Sequence, residues 1–155
     1  MDRQDKCGPV TVARLVPDQG SNWSRQLRDL EEAFLCEIRE GPMDDSRMER
    51  LATAIQREKI TFFLAEAEGM DVGICSVSPS FSTVSCGEVG IFDDFYVVPA
   101  YRHRGVARLL AEAAQKWCKA NNLASLTVGC SPGDVGMYKA LGFGEELGIM
   151  LAHIT

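Results

Sequence analysis

The feature that most constrains this chain is one stretch near its middle, residues 92–110, whose pattern changes from strand to loop to helix. Its first part is rich in aromatic and β-branched residues, which is typical of a strand. Pro99 ends this strand, because proline has no backbone N–H to donate to a neighbouring strand. Gly105 then opens a helix whose apolar residues recur at helical spacing: Val106, Leu109, Leu110, Ala113, Ala114 and Trp117.

The loop between this strand and this helix is suited to bind an anion. Arg102, His103 and Arg104 precede Gly105, and Ala107 is small where a ligand would contact the first helical turn. Backbone N–H groups and the positive end of the helix dipole point at the same place, which suits a phosphate or a pyrophosphate. A turn glycine beside solvated arginines is the more common explanation of such residues alone, and the strand–loop–helix context favours the phosphate site.

The stretch resembles the signature of the GNAT superfamily of acyl-CoA N-acyltransferases. In that signature an acidic-hydrophobic-x-Val strand is followed by Arg/Gln-x-x-Gly-x-Gly/Ala and a helix. This chain has Asp94-Phe95-Tyr96-Val97 followed by Arg102-His103-Arg104-Gly105-Val106-Ala107. A second element, Met137-Tyr138-Lys139-Ala140-Leu141-Gly142-Phe143, resembles the family's aromatic-Tyr-x-x-Leu-Gly-Phe helix. The motifs cover about residues 90–143, and the implied architecture covers roughly residues 10–155.

The resemblance implies a mixed α/β (α+β) fold with a mostly antiparallel central sheet of six to seven strands, flanked by about four helices. We expect one domain over residues 10–155, preceded by a polar tail at residues 1–9. Hydrophobic patterns predict strands at 10–16, 61–66, 72–77, 89–98 and 123–128, with one or two more in 145–154, and helices at 23–38, from about 44, at 105–120 and at 134–141. The strand–helix–strand order of residues 89–128 implies a parallel crossover.

Two local features were open to more than one interpretation. The Ser-rich residues 78–88 are expected to form either a loop at the mouth of the substrate site or simply a long turn. Ser21 or Asn22 is expected to cap the first helix, and Asp134 to cap the short helix near residue 138, because short polar side chains accept hydrogen bonds from the first helical N–H groups.

Charge and cysteine content exclude some classes of protein. The net charge of −6 argues against a nucleic-acid partner and weakly favours a cationic one such as an amine, although solubility alone is the more common reason for such charge. The six cysteines form no Cys-x-x-Cys pair and there are two histidines, so no metal site is expected. We interpret all six as reduced thiols of a cytoplasmic protein, with Cys75 and Cys118 in the core. The charged start predicts no signal peptide, and no apolar run approaches a membrane span.

The resemblance also implies acetyl-CoA as cofactor, with coenzyme A as product. The N–H groups from His103 to Arg108 would hold its pyrophosphate, with added charge from Arg102 and Arg104. Backbone groups of the fourth strand would pair with the pantetheine arm, and an N–H near Val97 would polarise the thioester carbonyl. The implied cofactor-binding residues are Phe95, Tyr96, Val97, Arg102, His103, Arg104, Gly105, Val106, Ala107, Arg108 and Ser131, where Ser131 or Cys130 takes the place at which the family often has Asn.

The catalytic residues implied are Asp93 and Tyr138. An attacking amine must be neutral, so a carboxylate or a water chain has to accept a proton. Asp93, Asp94 and Glu88 are the candidates; strand alternation places Asp93 and Asp94 on opposite faces, and the family often carries an acid at the place of Asp93. Tyr138 matches the family tyrosine that donates to the sulfur, although it also fits a core position. Cys130 has no base around it in the sequence and is not expected to act as a nucleophile.

The function expected is therefore the transfer of an acetyl group from acetyl-CoA to a primary amine by direct attack within a ternary complex. A small cationic amine, including an aminoglycoside-like one, is favoured slightly over a protein. The alternative is a non-catalytic module of the same fold that senses acyl-CoA. A nucleotide-binding domain of another fold is disfavoured, because the chain has neither Gly-Lys-Ser/Thr nor Gly-x-Gly-x-x-Gly. No membrane partner is expected, and a homodimer is left open.

Overall fold

A computed structural model describes residues 8–18 and 22–155, so most of the expected tail and the Ser21 cap lie outside the described residues. The elements are, in chain order, β1 (Thr11–Arg14), α1 (Trp23–Glu37), α2 (Asp45–Gln56), β2 (Thr61–Ala67), β3 (Met70–Ser82), β4 (Gly87–Val97), α3 (Val106–Ala120), β5 (Leu126–Val128) and α4 (Val135–Ala140). Single turns of 3₁₀-helix, Pro99–Tyr101 and Pro132–Asp134, precede α3 and α4.

The strands form one five-stranded sheet in the order β1-β2-β3-β4-β5. The first four strands pair antiparallel with their neighbours. β5 pairs parallel with β4, because the chain crosses over through α3 between them. The predicted mixed, mostly antiparallel sheet with about four helices is confirmed, and the described residues form five strands rather than the six or seven expected.

The missing strands belong to the end of the chain. Residues 143–155 contain no strand, contrary to the prediction of one or two strands in 145–154. The segment has the apolar composition of a strand, yet its backbone pairs with no neighbour of the described sheet, and a strand requires such a partner. Gly148 has φ 136°, a backbone conformation that interrupts an extended run.

The Ser-rich connection is also more regular than expected. β3 extends to Ser82 and β4 begins at Gly87, so the two strands form a long hairpin with the turn at residues 83–86. The pairs Phe81↔Glu88 and Ser82↔Gly87 close it. Most of residues 78–88 is therefore paired strand, because serine and threonine are tolerated on an exposed hairpin.

The sheet separates two layers of core. Alternation along β3 sends Cys75 and Val77 to the side of α3, and Ile74 to the side of α1 and α2. Gly73 lets α3 pack closely, because a Cβ there would lie 3.3 Å from Val106 Cγ1 and 2.9 Å from a backbone oxygen of β4. As predicted, Cys75 and Cys118 are buried; the described cysteines are free, and Cys7 lies outside the described residues.

The helix starts agree only in part with the expected caps. The Asp44 carboxylate accepts a hydrogen bond of 2.8 Å from the N–H of Arg47 and so caps α2. Asn22 precedes α1 without a side-chain cap bond. Asp134 does not cap α4 either, since its carboxylate accepts a hydrogen bond from the Ser131 hydroxyl instead. Among the described helices, none is long and apolar enough to cross a membrane.

Candidate active site

A bulge in β4 lies at the centre of the candidate site. The pairs Ile74↔Tyr96 and Ser76↔Asp93 leave one residue between them on β3 and two on β4. The extra residue bends the strand, and Asp94 adopts φ 48° there. Regular strand geometry predicts that Asp93 and Asp94 point to opposite faces of the sheet. The bulge interrupts this alternation, so the prediction does not apply at these two residues.

The same region of β4 is open on the side of β5. Parallel pairing covers only Gly90–Phe92 on β4 and Leu126–Val128 on β5. β4 continues to Val97, five residues beyond the last pair. The backbone of Asp93–Val97 therefore has no paired strand on the side of β5, and an extended amide-containing ligand suits such an edge.

The predicted anion-binding loop directly follows this open edge. Gly105 has φ 85° and precedes α3, and a Cβ built on it would meet no atom within 4 Å. The N–H of Leu109 donates to the carbonyl of Gly105 at the start of the helix. The N–H groups from His103 to Arg108 lie ahead of the helix's internal hydrogen bonds, so the loop presents donors and open space at one place.

The side chains of this loop divide into two groups. The Arg102 guanidinium donates to the carbonyl of Val97 at 2.9 Å and forms an ion pair of 2.5 Å with Glu37 of α1. Arg102 therefore connects the end of β4 to α1 through one hydrogen bond and one ion pair. His103, Arg104 and Arg108 are exposed, whereas Val106 is buried and Ala107 half-buried. Arg104 stacks over the ring of Tyr101, which orders the loop.

Tyr138 is placed by a cluster of four aromatic rings. Its ring centroid lies 6.0 Å from that of Phe95 in the bulge and 5.8 Å from that of Phe143. Phe92 completes the cluster, 5.1 Å from Phe95 and 5.3 Å from Phe143. The family-like helix motif thus brings its tyrosine to the open edge of β4, even though the two motifs are far apart in sequence.

Burial keeps the Tyr138 phenol protonated. It raises the pKa of Tyr138 to about 12, and the charges of Asp134, Cys130 and Asp93 act in the same direction. A phenol with a raised pKa remains a hydrogen-bond donor across the physiological range. Asp93 lies two residues before Phe95 in β4, and the ring of Phe95 contacts that of Tyr138.

The two adjacent acids of β4 differ in environment. Asp93 is exposed, and its Oδ1 accepts a hydrogen bond of 2.9 Å from the N–H of Asp94. Asp94 is half-buried and accepts a hydrogen bond of 2.5 Å from the Ser76 hydroxyl. Burial raises the pKa of Asp94, the Ser76 hydrogen bond opposes that shift, and the charge of Asp93 adds to it. Ser76 itself is fully buried, so it holds Asp94 in place.

Glu31 is a residue of this region that sequence reasoning missed. It lies on the buried face of α1 and is 4% exposed, and its Oε1 has no hydrogen-bond partner within residues 8–18 and 22–155. Burial, followed by the charges of Asp94 and Asp93, raises the pKa of Glu31 to about 8. The available signal was a glutamate within the apolar stripe of α1, next to Leu27 and Leu30.

The remaining candidate residues from the sequence are Glu88, Ser131 and Cys130. Glu88 is exposed near the turn of the hairpin, opposite Phe81. Its Cα is five residues from that of Asp93, about 16 Å along a strand. The Ser131 hydroxyl donates to Asp134 at 2.6 Å, so it is not free. Cys130 is exposed and close enough to act on the pKa of Tyr138.

Comparisons with known proteins agree with this arrangement. The sequence profile of the acetyltransferase (GNAT) family matches residues 23–143. The chain is 27% identical, over 111 residues, to the aminoglycoside N(6′)-acetyltransferase type 1 of Salmonella typhimurium, covering 68% of this chain and 77% of that protein. It is 29% identical over 128 residues to the uncharacterized N-acetyltransferase YhfO of Bacillus subtilis, covering 81% and 75%.

A solved structure shows the same fold. The aminoglycoside acetyltransferase AAC(6′)-Iy in complex with the bisubstrate analog CoA-S-monomethyl-acetylneamine matches with a TM-score of 0.77 and 21% identity, covering 96% of this chain and 99% of that one. Fold and profile together define the class of an N-acetyltransferase. The chain belongs to the acetyltransferase (GNAT) family, and the predicted family and enzyme class, an acetyl-CoA-dependent N-acetyltransferase, are confirmed.

Proposed function

We propose that this protein transfers an acetyl group from acetyl-CoA to a small cationic primary amine, by direct attack within a ternary complex. The observation that carries the proposal is the open edge of β4, which ends at the anion-binding loop and lies beside Tyr138. The aminoglycoside acetyltransferases among its relatives support an amine acceptor, and the net charge of −6 favours a cationic one.

The loop residues fit the diphosphate of coenzyme A. N–H groups from His103 to Arg108 and the positive end of α3 provide the donors, and Gly105 leaves space for the phosphates. Arg104 and Arg108 are the exposed cations available there. Arg102 already neutralises Glu37, so we assign it to the scaffold of the site more than to the phosphates.

The bulged strand suits the pantetheine arm. Phe95, Tyr96 and Val97 lie beyond the last residue that pairs with β5. Their backbone amides would bind the arm as an added strand, with a backbone N–H near Val97 polarising the thioester carbonyl. Ser131 follows the end of β5 and would contact the arm through its backbone, because its hydroxyl is held by Asp134.

Asp93 and Tyr138 are proposed to move the two protons of the reaction. Asp93 is exposed on β4, two residues before Phe95, whose ring lies 6.0 Å from that of Tyr138. Asp93 would accept a proton from the attacking amine, directly or through water. Tyr138 would donate a hydrogen bond to the sulfur as negative charge develops on it.

The test is a thiol-release assay with acetyl-CoA over a panel of amines: aminoglycosides, polyamines, amino acids and lysine-containing peptides. We expect turnover with cationic small molecules and little with peptides. Calorimetry with acetyl-CoA alone gives the second measurement. Binding without turnover on any amine would favour the non-catalytic sensor instead, and absence of binding would overturn the proposal.

We also propose that the protein is a homodimer in which the C-terminal segment, residues 143–155, pairs with the other copy. The segment is strongly apolar and solvent-exposed: Leu147 is 76% exposed, Ile149 92% and Leu151 90%. β5 is the last strand of the described sheet, so no strand pairs with its outer edge there. Met150 of the segment lies beside Gly129, directly after β5. Each copy carries both the segment and the edge, so the exchange is self-complementary.

A further inference from the structure

The starting point is the buried carboxyl of Glu31. α1 packs against β3 and β4, and the face that it buries contains Leu27, Leu30 and Leu35 together with Glu31. Glu31 is 4% exposed, and its Oε1 is without a hydrogen-bond donor among the described residues. An unpaired buried carboxyl group is costly, so a role that compensates for the cost is expected.

The groups around Glu31 are acidic. Asp94 accepts a hydrogen bond from Ser76, which alternates with Cys75 and Val77 along β3 and so faces α1. Asp94 therefore lies on the side of the sheet that α1 covers. The charges of Asp94 and Asp93 add to burial in raising the pKa of Glu31.

The other titratable groups on β3 and β4 include the buried thiol of Cys75, whose pKa is raised by burial, and the phenol of Tyr96. Asp71 of β3 accepts a hydrogen bond from Gln26, and Glu88 of β4 is near the hairpin turn. The neighbouring cation is Arg102, which is paired with Glu37. Within the part of the chain that the structure describes, Glu31, Asp93 and Asp94 form no ion pair.

This cluster has two ends. The charge of Asp93 contributes to the raised pKa of both Glu31 and Tyr138. The residues that raise the pKa of Tyr138 are Asp134, Cys130 and Asp93, whereas Glu31 interacts with Asp94 and Asp93. The Glu31 end is thus the end away from the proposed proton donor. A group bound there would not be the amine that attacks the thioester.

We propose that Glu31 and Asp94, next to the proposed base Asp93, form a subsite for a second ammonium group of the acceptor, with Glu31 at its inner end. The acceptor would then be a di- or polyamine, anchored by one ammonium while another amine is acetylated. This inference rests on the proposed function and specifies its substrate class. Because Glu31 holds its proton in the free protein near neutral pH, an ammonium group that binds there displaces a proton.

The experiment is calorimetry with spermidine and butylamine at pH 7, in buffers of different ionisation enthalpy, on the wild type and on Glu31→Gln. The wild type should bind spermidine at least about tenfold more tightly than butylamine. Spermidine has a second ammonium group that can neutralise the carboxylates of the subsite, whereas butylamine has only one ammonium group. The wild type should also release up to about one proton per spermidine. Glu31→Gln should lose both the preference and the proton release while its acetyl-CoA affinity stays within about twofold.

Two further variants make the result decisive. Glu32→Gln removes an exposed carboxylate of the same helix and should behave as wild type. Asp94→Asn acts on the same subsite from β4 and should weaken spermidine binding independently of α1. The subsite would be overturned if Glu31→Gln still preferred spermidine over butylamine and still released a proton on binding. It would also be overturned if the wild type bound acetyl-CoA but preferred butylamine. Failure to bind acetyl-CoA would instead overturn the proposed function.

Discussion

The ring of Phe95, in the bulge of β4, lies 6.0 Å from the ring of Tyr138 in α4. This contact joins the two sequence motifs in space. The position of α4 is fixed further by Gln115 of α3, whose side-chain amide donates to the carbonyl of Leu141 at 2.8 Å. The phenol is therefore held beside the open strand edge by packing on one side and by a hydrogen bond to its helix on the other.

Replacing Tyr138 by Phe should separate chemistry from binding. The ring cluster is preserved, and only the hydroxyl that would face the sulfur is lost. We expect kcat to fall by about tenfold or more, with little change in acetyl-CoA affinity. Steady-state kinetics and calorimetry measure the two quantities. Tyr101→Phe, which removes a phenol outside the cluster, is the control, and an unchanged kcat in Tyr138→Phe would exclude it as the proton donor.

Substitutions at Gly105 test the anion-binding loop. Gly105 has φ 85°, so any side chain there adds strain, but Asn tolerates this conformation better than most residues. Gly105→Asn and Gly105→Asp have side chains of nearly the same size and differ in charge. We expect the Asp variant to lose at least about tenfold more acetyl-CoA affinity than the Asn variant, because its carboxylate repels the phosphates. Equal affinities by calorimetry would contradict the loop assignment.

The raised pKa of Glu31 predicts a pH-dependent stability. Its pKa is about 8 in the folded chain against an ordinary value of 4.5, so the folded state retains a proton that the unfolded chain has released. Stability is therefore lost as the pH rises from about 4.5 to about 8, at up to about 1.4 kcal/mol per pH unit. Glu31→Gln removes this loss.

The measurement is the thermal midpoint at pH 5 and at pH 8.5. The thermal midpoint of Glu31→Gln minus that of the wild type should be larger at pH 8.5 than at pH 5 by about 5 °C or more. The exposed neighbour gives the matched control, since Glu32→Gln should show the same difference from wild type at both pH values. A gain for Glu31→Gln that does not change with pH would mean that the carboxyl titrates normally.

The proposed pairing of residues 143–155 with a second copy predicts that the protein is a dimer. Light scattering should give a dimer for the full chain and a monomer for a chain that ends after Gly144. Ile149→Glu and Leu151→Glu, which place charges on side chains that are about nine-tenths exposed in the single chain, should also dissociate the dimer. Glu145→Gln in the same segment is the control. A full chain that remains monomeric at micromolar concentration would overturn the exchange.

The sequence by itself determined the family and the local pieces of the site. The order of strand, basic loop and helix around Gly105, and the Tyr138 helix, depend on residues close together in the chain. Their backbone geometry follows from local rules for proline, glycine and helical spacing. The parallel crossover also followed, because the two strands are joined by α3.

Only the tertiary structure decided which acids share the site. The bulge at Asp94 depends on the register between β3 and β4, and register cannot be read from alternation within one strand. Glu31 enters through the packing of α1 on the sheet, more than sixty residues before the acids that shift its pKa. The C-terminal segment has a strand's composition, yet it pairs with no strand of the described sheet. The bulge, the position of Glu31 and the unpaired C-terminal segment all depend on contacts between residues far apart in the chain. Local sequence propensity does not encode such contacts.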